Sequence, residues 1–274
     1  MKYTIIRTAY WSTIRKLSEN FDAQTLFVWD VDGTLIYSND VVFYPQYLKL
    51  DAHDFCVECL GSTKKDGVQD RQWVQNRWYH VWRSLPFTLM DPSVSETIRD
   101  LQARNICNMA LTFLIVCSLE GKDFVQWRID QLKKLGIDFS SAFGGYAEVQ
   151  LEEILQEDEL EVSKEKWIYA PAYKNGVLLT HNFSKGRCLG VLLKRLNRVP
   201  ERIFFVDDLE ENVSSVGQLC KELGIDFVGI HYTGFENLPR ADTWSKKVVR
   251  DKWEAFSRTG KWPLPTNIEG VVVE

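Results

Sequence analysis

Apolar positions along the chain follow two alternating periods. Thr25–Val31 (TLFVWDV) is a nearly continuous apolar run that closes on Asp30, Asp32 and Gly33. A short run of this kind, bounded by a turn signal, predicts a strand buried on both faces. Cys107–Thr112, or slightly beyond, and Arg202–Val206 (RIFFV) also read as strands. Between these runs the spacing is helical. Asp91-Pro92 opens a helix that reaches about Arg104, with Ser93 and Glu96 at the spacing of a capping box. A further helix runs from about Ser184 to Leu196. Two segments, QLKKLGIDF (Gln131–Phe139) and LCKELGIDF (Leu219–Phe227), share one pattern: a helix end, a Gly at the left-handed C′ position (Gly136, Gly224), then the entry to a strand. Strands alternating with helices predict an α/β fold with a central parallel sheet.

Two stretches break the alternation. Ser38 to about Phe87 is rich in aromatics, with helical spacing across Trp73–Trp82 (WVQNRWYHVW). Glu148–Thr180 is acidic (LEEILQEDELE) and then reads YKNGVLLT, where Asn175-Gly176 signals a hairpin turn. Both are expected as insertions over the carboxyl edge of the sheet. Residues 1–37 and 88–274 then form the core, with the acidic insertion and hairpin at about 148–180, and 38–87 form a small, mainly helical cap. Trp73, Tyr79 and Trp82 are either the inner face of a cap helix or a platform for substrate. The tail after Trp262 is expected to be loosely held.

Composition narrows the function. Net charge is −5, from 33 basic and 38 acidic residues, with no basic stripe, which excludes a nucleic-acid partner. The longest apolar run, Met109–Cys117, is broken by Thr112 and too short to span a bilayer, so no integral membrane segment is expected. Met1–Asn20 carries Arg7, Arg15 and Lys16 and no apolar core of a secretory leader. Six cysteines (Cys56, Cys59, Cys107, Cys117, Cys188, Cys220) in a chain of 274 residues read as reduced thiols of a cytoplasmic protein. Export without a cleaved leader is the alternative. HDFCVEC (His53–Cys59) holds one CxxC, but no second pair of ligands accompanies it, so packed thiols are expected rather than zinc.

Ligands of parallel sheets bind at the carboxyl ends of the strands. One strand here ends in Asp30 and Asp32, another in Asp207 and Asp208, which predicts a single acidic site. An aspartate that attacks phosphorus needs a partner to protonate the leaving oxygen and later to deprotonate water. The two-residue spacing, with Gly33 freeing the backbone, suits Asp30 and Asp32 to those tasks. The plain rival is a solvated Asp-Gly turn. Asp207 and Asp208 have their own rival, an acid pair capping the helix that begins near Glu210. Lys185 could be a solvated residue at a helix start.

DVDGT (Asp30–Thr34) resembles the first motif of the haloacid dehalogenase (HAD) superfamily. ALT, ending at Thr112, resembles the second motif, Lys185 in SKGRCL the third, and VDDLEEN (Val206–Asn212) the fourth; together they span about Thr25 to Thr233. More narrowly, NGVLLT, KGRCLGVLL, IFFVDDLEENVSSV and FVGIHYTG are similar to a bacterial branch of HAD-like proteins with members in intracellular bacteria. The resemblance implies a three-layer, Rossmann-like core and an Mg²⁺-dependent phosphomonoesterase working through an aspartyl-phosphate. Asp30 would be the nucleophile and a metal ligand. Asp32 would be general acid and then base, its backbone carbonyl facing the metal. Asp208 would bind Mg²⁺ directly, with Asp207 and Asn212 completing or orienting the shell. Thr112 would donate to a phosphoryl oxygen, and Lys185 would offset charge. The second motif departs from the pattern, reading LTFLIVCS with no Gly or Arg after Thr112, so Ser118 is the alternative donor. The substrate would be a phosphorylated small molecule or a phosphoprotein. An open cleft rimmed by Trp and Tyr would favour aryl phosphates, phosphotyrosine included. A phosphotransferase, a small-metabolite phosphatase and a catalytically weak HAD-like interaction protein are the competing expectations.

Overall fold

The computed structural model describes residues 2–43, 80–114, 124–144, 148–154, 170–181, 183–238 and 245–264. The chain opens with β1 (Tyr3–Thr8), α1 (Trp11–Ser18), β2 (Thr25–Trp29) and the short β3 (Ile36–Ser38). It continues through β4 (Phe87–Leu89), α2 (Val94–Ala103), β5 (Cys107–Thr112), α3 (Phe124–Lys134) and β6 (Glu148–Gln150). The last third holds β7 (Ala172–Lys174), β8 (Val177–Leu179), α4 (Lys185–Arg195), β9 (Arg202–Asp207), α5 (Glu210–Leu223), β10 (Asp226–Tyr232) and α6 (Lys246–Thr259). Eight strands form one sheet in the order β1-β10-β9-β2-β5-β8-β7-β6, while β3 and β4 pair separately. The pairings from β1 through β8 are parallel, and only β8–β7 and β7–β6 are antiparallel. This is the expected α/β class with a mainly parallel central sheet.

The chain divides into two units: Met1–Ile36 with Leu89–Asn237, and Tyr37–Thr88 with Leu238–Glu274. The first holds the large sheet. β2 is buried at every position, as its continuous apolar run requires. On one face Leu26, Val28, Met109, Leu111, Ile203 and Phe205 pack with Leu189 and Leu192 of α4. The other face is aromatic: Phe27 stacks on Phe204 at 4.6 Å between ring centres, and Trp11 on Trp29 at 5.7 Å. The indole nitrogens are satisfied, Trp29 Nε1 donating to Asn108 Oδ1 and Trp11 Nε1 to Thr97 Oγ1, both at 3.0 Å. Many of the chain's aromatics therefore serve packing.

Among the described residues of the second unit, Asp40 is fully buried. Its Oδ2 accepts from Lys252 Nζ at 2.5 Å and Trp262 Nε1 at 2.7 Å, and its Oδ1 from the Val42 N–H at 3.0 Å. Trp82 is buried too, its ring 5.5 Å from Phe43 and 5.2 Å from Phe87. Residues 88–274 were expected to belong entirely to the core, but α6 and its flanks group instead with 37–88. A buried carboxylate demands partners, and Lys252 and Trp262 supply them.

Other expectations are corrected. In the 148–180 segment, residues 155–169 lie outside the described residues, and the described hairpin does not cap the carboxyl edge: β8 pairs with β5 in register (Ala110↔Val177, Leu111↔Leu178, Thr112↔Leu179) and lengthens the sheet. Asn175 and Gly176 turn the β7–β8 hairpin with φ of 45° and 83°. A Cβ on Gly176 would stand 2.0 Å from the Phe139 carbonyl oxygen, so glycine is required there sterically as well. The stretch after Gly136 forms no strand. Ile137 and Phe139 are buried as a loop, whereas the matching Phe227 enters β10 between β1 and β9. Ser93 does not cap α2 with its side chain. Asp91 Oδ1 accepts from both Ser93 N–H (2.9 Å) and Ser93 Oγ (2.5 Å), and Glu96 pairs instead with Arg15 at 3.0 Å. Among the described residues, no helix is long and apolar enough to cross a membrane.

Candidate functional site

The two acidic strand ends meet because β2 and β9 are parallel neighbours, with Trp29 opposite Val206. Just past that pair the Asp30 N–H donates to the Val206 carbonyl at 2.9 Å. The chain then turns around one carbonyl: the N–H groups of Leu35 and Ile36 both donate to Val31 O, at 2.9 and 3.0 Å. Gly33 makes this possible with φ 85°. Lys185 arrives from the other side as the first residue of α4, whose N-cap is Ser184. Its ammonium lies 2.5 Å from Asp30 Oδ1 and 2.6 Å from Asp207 Oδ2, and Lys185 is only 3% exposed. Gly186 sets that approach. A Cβ there would sit 2.3 Å from the Ser215 carbonyl oxygen, so α4 can press this close to α5 only without one.

The electrostatics follow from burial. Asp207 Oδ1 accepts from the Leu209 N–H (2.8 Å) and from Asn212 Nδ2 (3.0 Å), whereas α5 itself starts from Leu209 with no side-chain cap, so the acid pair does not cap it. Burial pushes the Asp207 carboxyl up to about 6, with the Asp30 charge adding and Lys185 opposing. Burial alone would lower the Lys185 ammonium, but the carboxylates of Asp207 and Asp30 outweigh it and hold it above its ordinary value. The carboxylates of Asp30, Asp207 and Asp208 are all buried, with ligand oxygens within 4.8 Å of one another. Asp30 Oδ2 has no hydrogen-bond partner. A set of clustered carboxylate oxygens, one of them buried and unmatched, fits a hard divalent cation.

Asp32 stands outside that triad. Its Oδ2 accepts from Arg128 Nη2 at 2.6 Å, while its buried Oδ1 has no partner. Burial raises the Asp32 carboxyl, Arg128 opposes the rise, and the Asp30 charge adds to it. Thr112 ends β5, is 1% exposed and leaves its Oγ1 unmatched. Its carbonyl accepts from the Thr180 N–H at 3.0 Å, so the end of β8 lies beside it. The structure thus joins Asp30, Asp207, Asp208 and Lys185 in one cluster, sets Asp32 beside it on Arg128, and leaves Thr112 at the end of the next strand. Ser118, Trp73, Tyr79 and the His53–Cys59 segment lie outside the described residues.

Arg128 had no place in the sequence reading. It occupies the buried face of α3 with Phe124, Val125, Ile129 and Leu132. A charged residue at a position where the helical period demands an apolar one was the available signal. His181, buried with φ 53° just after β8, is a second residue that periodicity does not reveal.

A family model described as a protein of unknown function (DUF2608) matches residues 7–261. The chain belongs to the DUF2608 family. A relative from Chlamydia pneumoniae is 29% identical over 93 residues, covering 31% of this chain and 36% of its own. One from Chlamydia trachomatis serovar D is 19% identical over 218 residues, covering 80% and 72%. A second from Chlamydia pneumoniae is 21% identical over 244 residues, covering 86% and 84%. All three are provisionally named outer membrane proteins. The chain spans little more than a third of the first relative's length. No solved structure matches the chain. The relatives' names overturn the cytoplasmic expectation for this DUF2608 member. Its premise also fails physically: Cys188 and Cys220 are free and fully buried, and such thiols persist in any compartment.

Proposed function

We propose that the acidic centre is a phosphotransfer site of HAD type and that the chain is an Mg²⁺-dependent phosphomonoesterase. One observation carries this reading: each aspartate of the Asp30-Val31-Asp32 pair has one oxygen held by a buried cation and the other buried without a partner. In the first step an Asp30 carboxylate oxygen bonds to the substrate's phosphorus. The ester P–O bond breaks, and the departing oxygen takes a proton from Asp32. In the second step Asp32 takes a proton from water as the water oxygen bonds to phosphorus. The bond from phosphorus to Asp30 breaks, releasing inorganic phosphate and restoring the carboxylate. Asp30 and Asp208 would hold Mg²⁺, with Asp207 oriented by Asn212 and Leu209; the cation would neutralise the charge between nucleophile and phosphate. Lys185 keeps Asp30 in place and offsets its charge, and Thr112 Oγ1 is available to donate to a phosphoryl oxygen.

The relatives' names further support a place at the outer membrane or cell surface rather than inside the cell. Phosphorylated small molecules and phosphoproteins are both open to such a site, and aryl phosphates suit the assay. Hydrolysis of p-nitrophenyl phosphate should require Mg²⁺ and stop in EDTA. Asp30→Asn should abolish it in a folded protein, because an amide is a poor nucleophile. More than a few per cent of wild-type rate in that variant would sink the assignment.

A further inference from the structure

We infer that Arg128 is a positioning residue for Asp32: it pins one carboxylate oxygen and so fixes which oxygen serves the reaction. The inference rests on the phosphohydrolase reading for its catalytic consequence. Arg128 is fully buried, although the Asp32 side chain it meets is 27% exposed. A cation is therefore placed beneath a carboxylate that itself reaches the surface. Burying a guanidinium is unfavourable unless its donors are matched. Here Nη2 donates to Asp32 Oδ2 at 2.6 Å and Nη1 to Gln131 Oε1 at 2.5 Å, while Nε is buried without a partner. Two of the three nitrogens are thus fixed. Gln131, one helical turn along α3, holds the guanidinium plane in the attitude that reaches Asp32.

The surroundings argue against a purely cohesive role. Asp32 lies in the turn after β2 and would otherwise be free to rotate about its side-chain bonds. A proton shuttle that rotates loses its reach to the leaving oxygen, and a misplacement of about 1 Å can lower a rate by about 10²-fold. With Oδ2 engaged by Arg128, Oδ1 remains for proton transfer, and Oδ1 has no hydrogen-bond partner among the described residues. The anchor comes from a packed helix face, flanked by Val125 and Ile129, rather than from the mobile end of a surface side chain.

Arg128→Met, Arg128→Lys, Asp32→Asn and the Arg128→Met/Asp32→Asn double variant test this with p-nitrophenyl phosphate and by thermal unfolding without substrate. Arg128→Met should lower kcat about 10- to 100-fold while KM changes by less than about twofold, since positioning is felt in the transition state. Arg128→Lys should recover part of the loss. In the Asp32→Asn background Arg128→Met should cost no further activity. Across wild type, Arg128→Met, Asp32→Asn and the double variant, the shifts in unfolding temperature should be non-additive, because the two side chains form one pair. An equal proportional loss of kcat in both backgrounds, or a loss confined to KM, overturns the inference, as do additive unfolding temperatures. If wild type hydrolyses no phosphate ester yet the unfolding cycle is non-additive, the phosphatase reading fails while Arg128 still holds Asp32.

Discussion

Replacing Lys185 with Met tests the centre without assuming any substrate. The side chains are similar in volume, so the change removes a charge and three donors and opens little space. Lys185 is 3% exposed and its ammonium is shared between Asp30 Oδ1 at 2.5 Å and Asp207 Oδ2 at 2.6 Å. Losing it strands two buried carboxylate oxygens that face each other. Removing one partner of a buried ion pair costs about 3–5 kcal/mol. Each kcal/mol moves the midpoint by about 2–4 °C in a chain of 150–250 residues, so the midpoint should fall by roughly 6–20 °C. Circular dichroism melts in EDTA at neutral pH measure this directly. The Lys185→Met/Asp207→Asn variant should regain part of the loss, because one of the opposed charges has gone. A Lys185→Met midpoint within about 2 °C of wild type would refute the reasoning, since it corresponds to about 1 kcal/mol or less.

Mg²⁺ should raise the unfolding midpoint of wild type, reflecting about 2.7 kcal/mol at a hundredfold excess over Kd, and Asp208→Ala should remove most of that rise; equal rises in both proteins would take Asp208 out of the shell. Burial pushes the Cys188 and Cys220 thiols up to about 12. At pH 8 only about 10⁻⁴ of each is thiolate, against about a tenth for an ordinary thiol, so iodoacetamide should label both only after denaturation. The sign of the linkage is that stability from these thiols is complete below their ordinary value near 9 and is lost as pH climbs towards 12.

The legible parts of the fold were those where one local pattern has one physical cause. β2, β5 and β9 sit inside a parallel sheet, so burial on both faces writes them as continuous apolar runs. The turn at Asn175-Gly176 was readable because few residues accept two positive φ angles in succession. β1 is an edge strand whose exposure varies along YTIIRT, and no such run marks it. The grouping of α6 with residues 37–88 was invisible for another reason. It depends on Asp40 meeting Lys252 and Trp262 across 212 and 222 positions, and nothing local announces a partner so distant. In the site, Asp30, Asp207 and Asp208 were traceable because acids closing buried strands are conspicuous. Arg128 was not, since a single charge inside an otherwise apolar helix face resembles many solvated ones until the helix is docked.

The carboxylates of this protein supply their own standard for telling structure from chemistry. Asp40 and Asp207 are buried, and both oxygens of each accept hydrogen bonds: Asp40 from Val42, Lys252 and Trp262, Asp207 from Leu209, Asn212 and Lys185. That is what a charge kept for cohesion needs, because every unmatched buried acceptor costs about 1–3 kcal/mol or more. Asp30 and Asp32 depart from it in the same way. Each gives one oxygen to a buried cation and keeps the other buried and unmatched. A solvated turn would expose both oxygens, and a structural ion pair would engage both. In Asp30 and in Asp32 a buried cation, Lys185 or Arg128, fixes one oxygen while the second has no hydrogen-bond partner. Thr112 Oγ1, buried and likewise unmatched, adds a donor at the end of the adjoining strand. Buried polar atoms without a protein partner are few in native proteins, and a bound ion, water or ligand is among the partners that complete them. On the proposed reading, Asp30 and Asp32, rather than Asp40, are the carboxylates that keep an oxygen for chemistry.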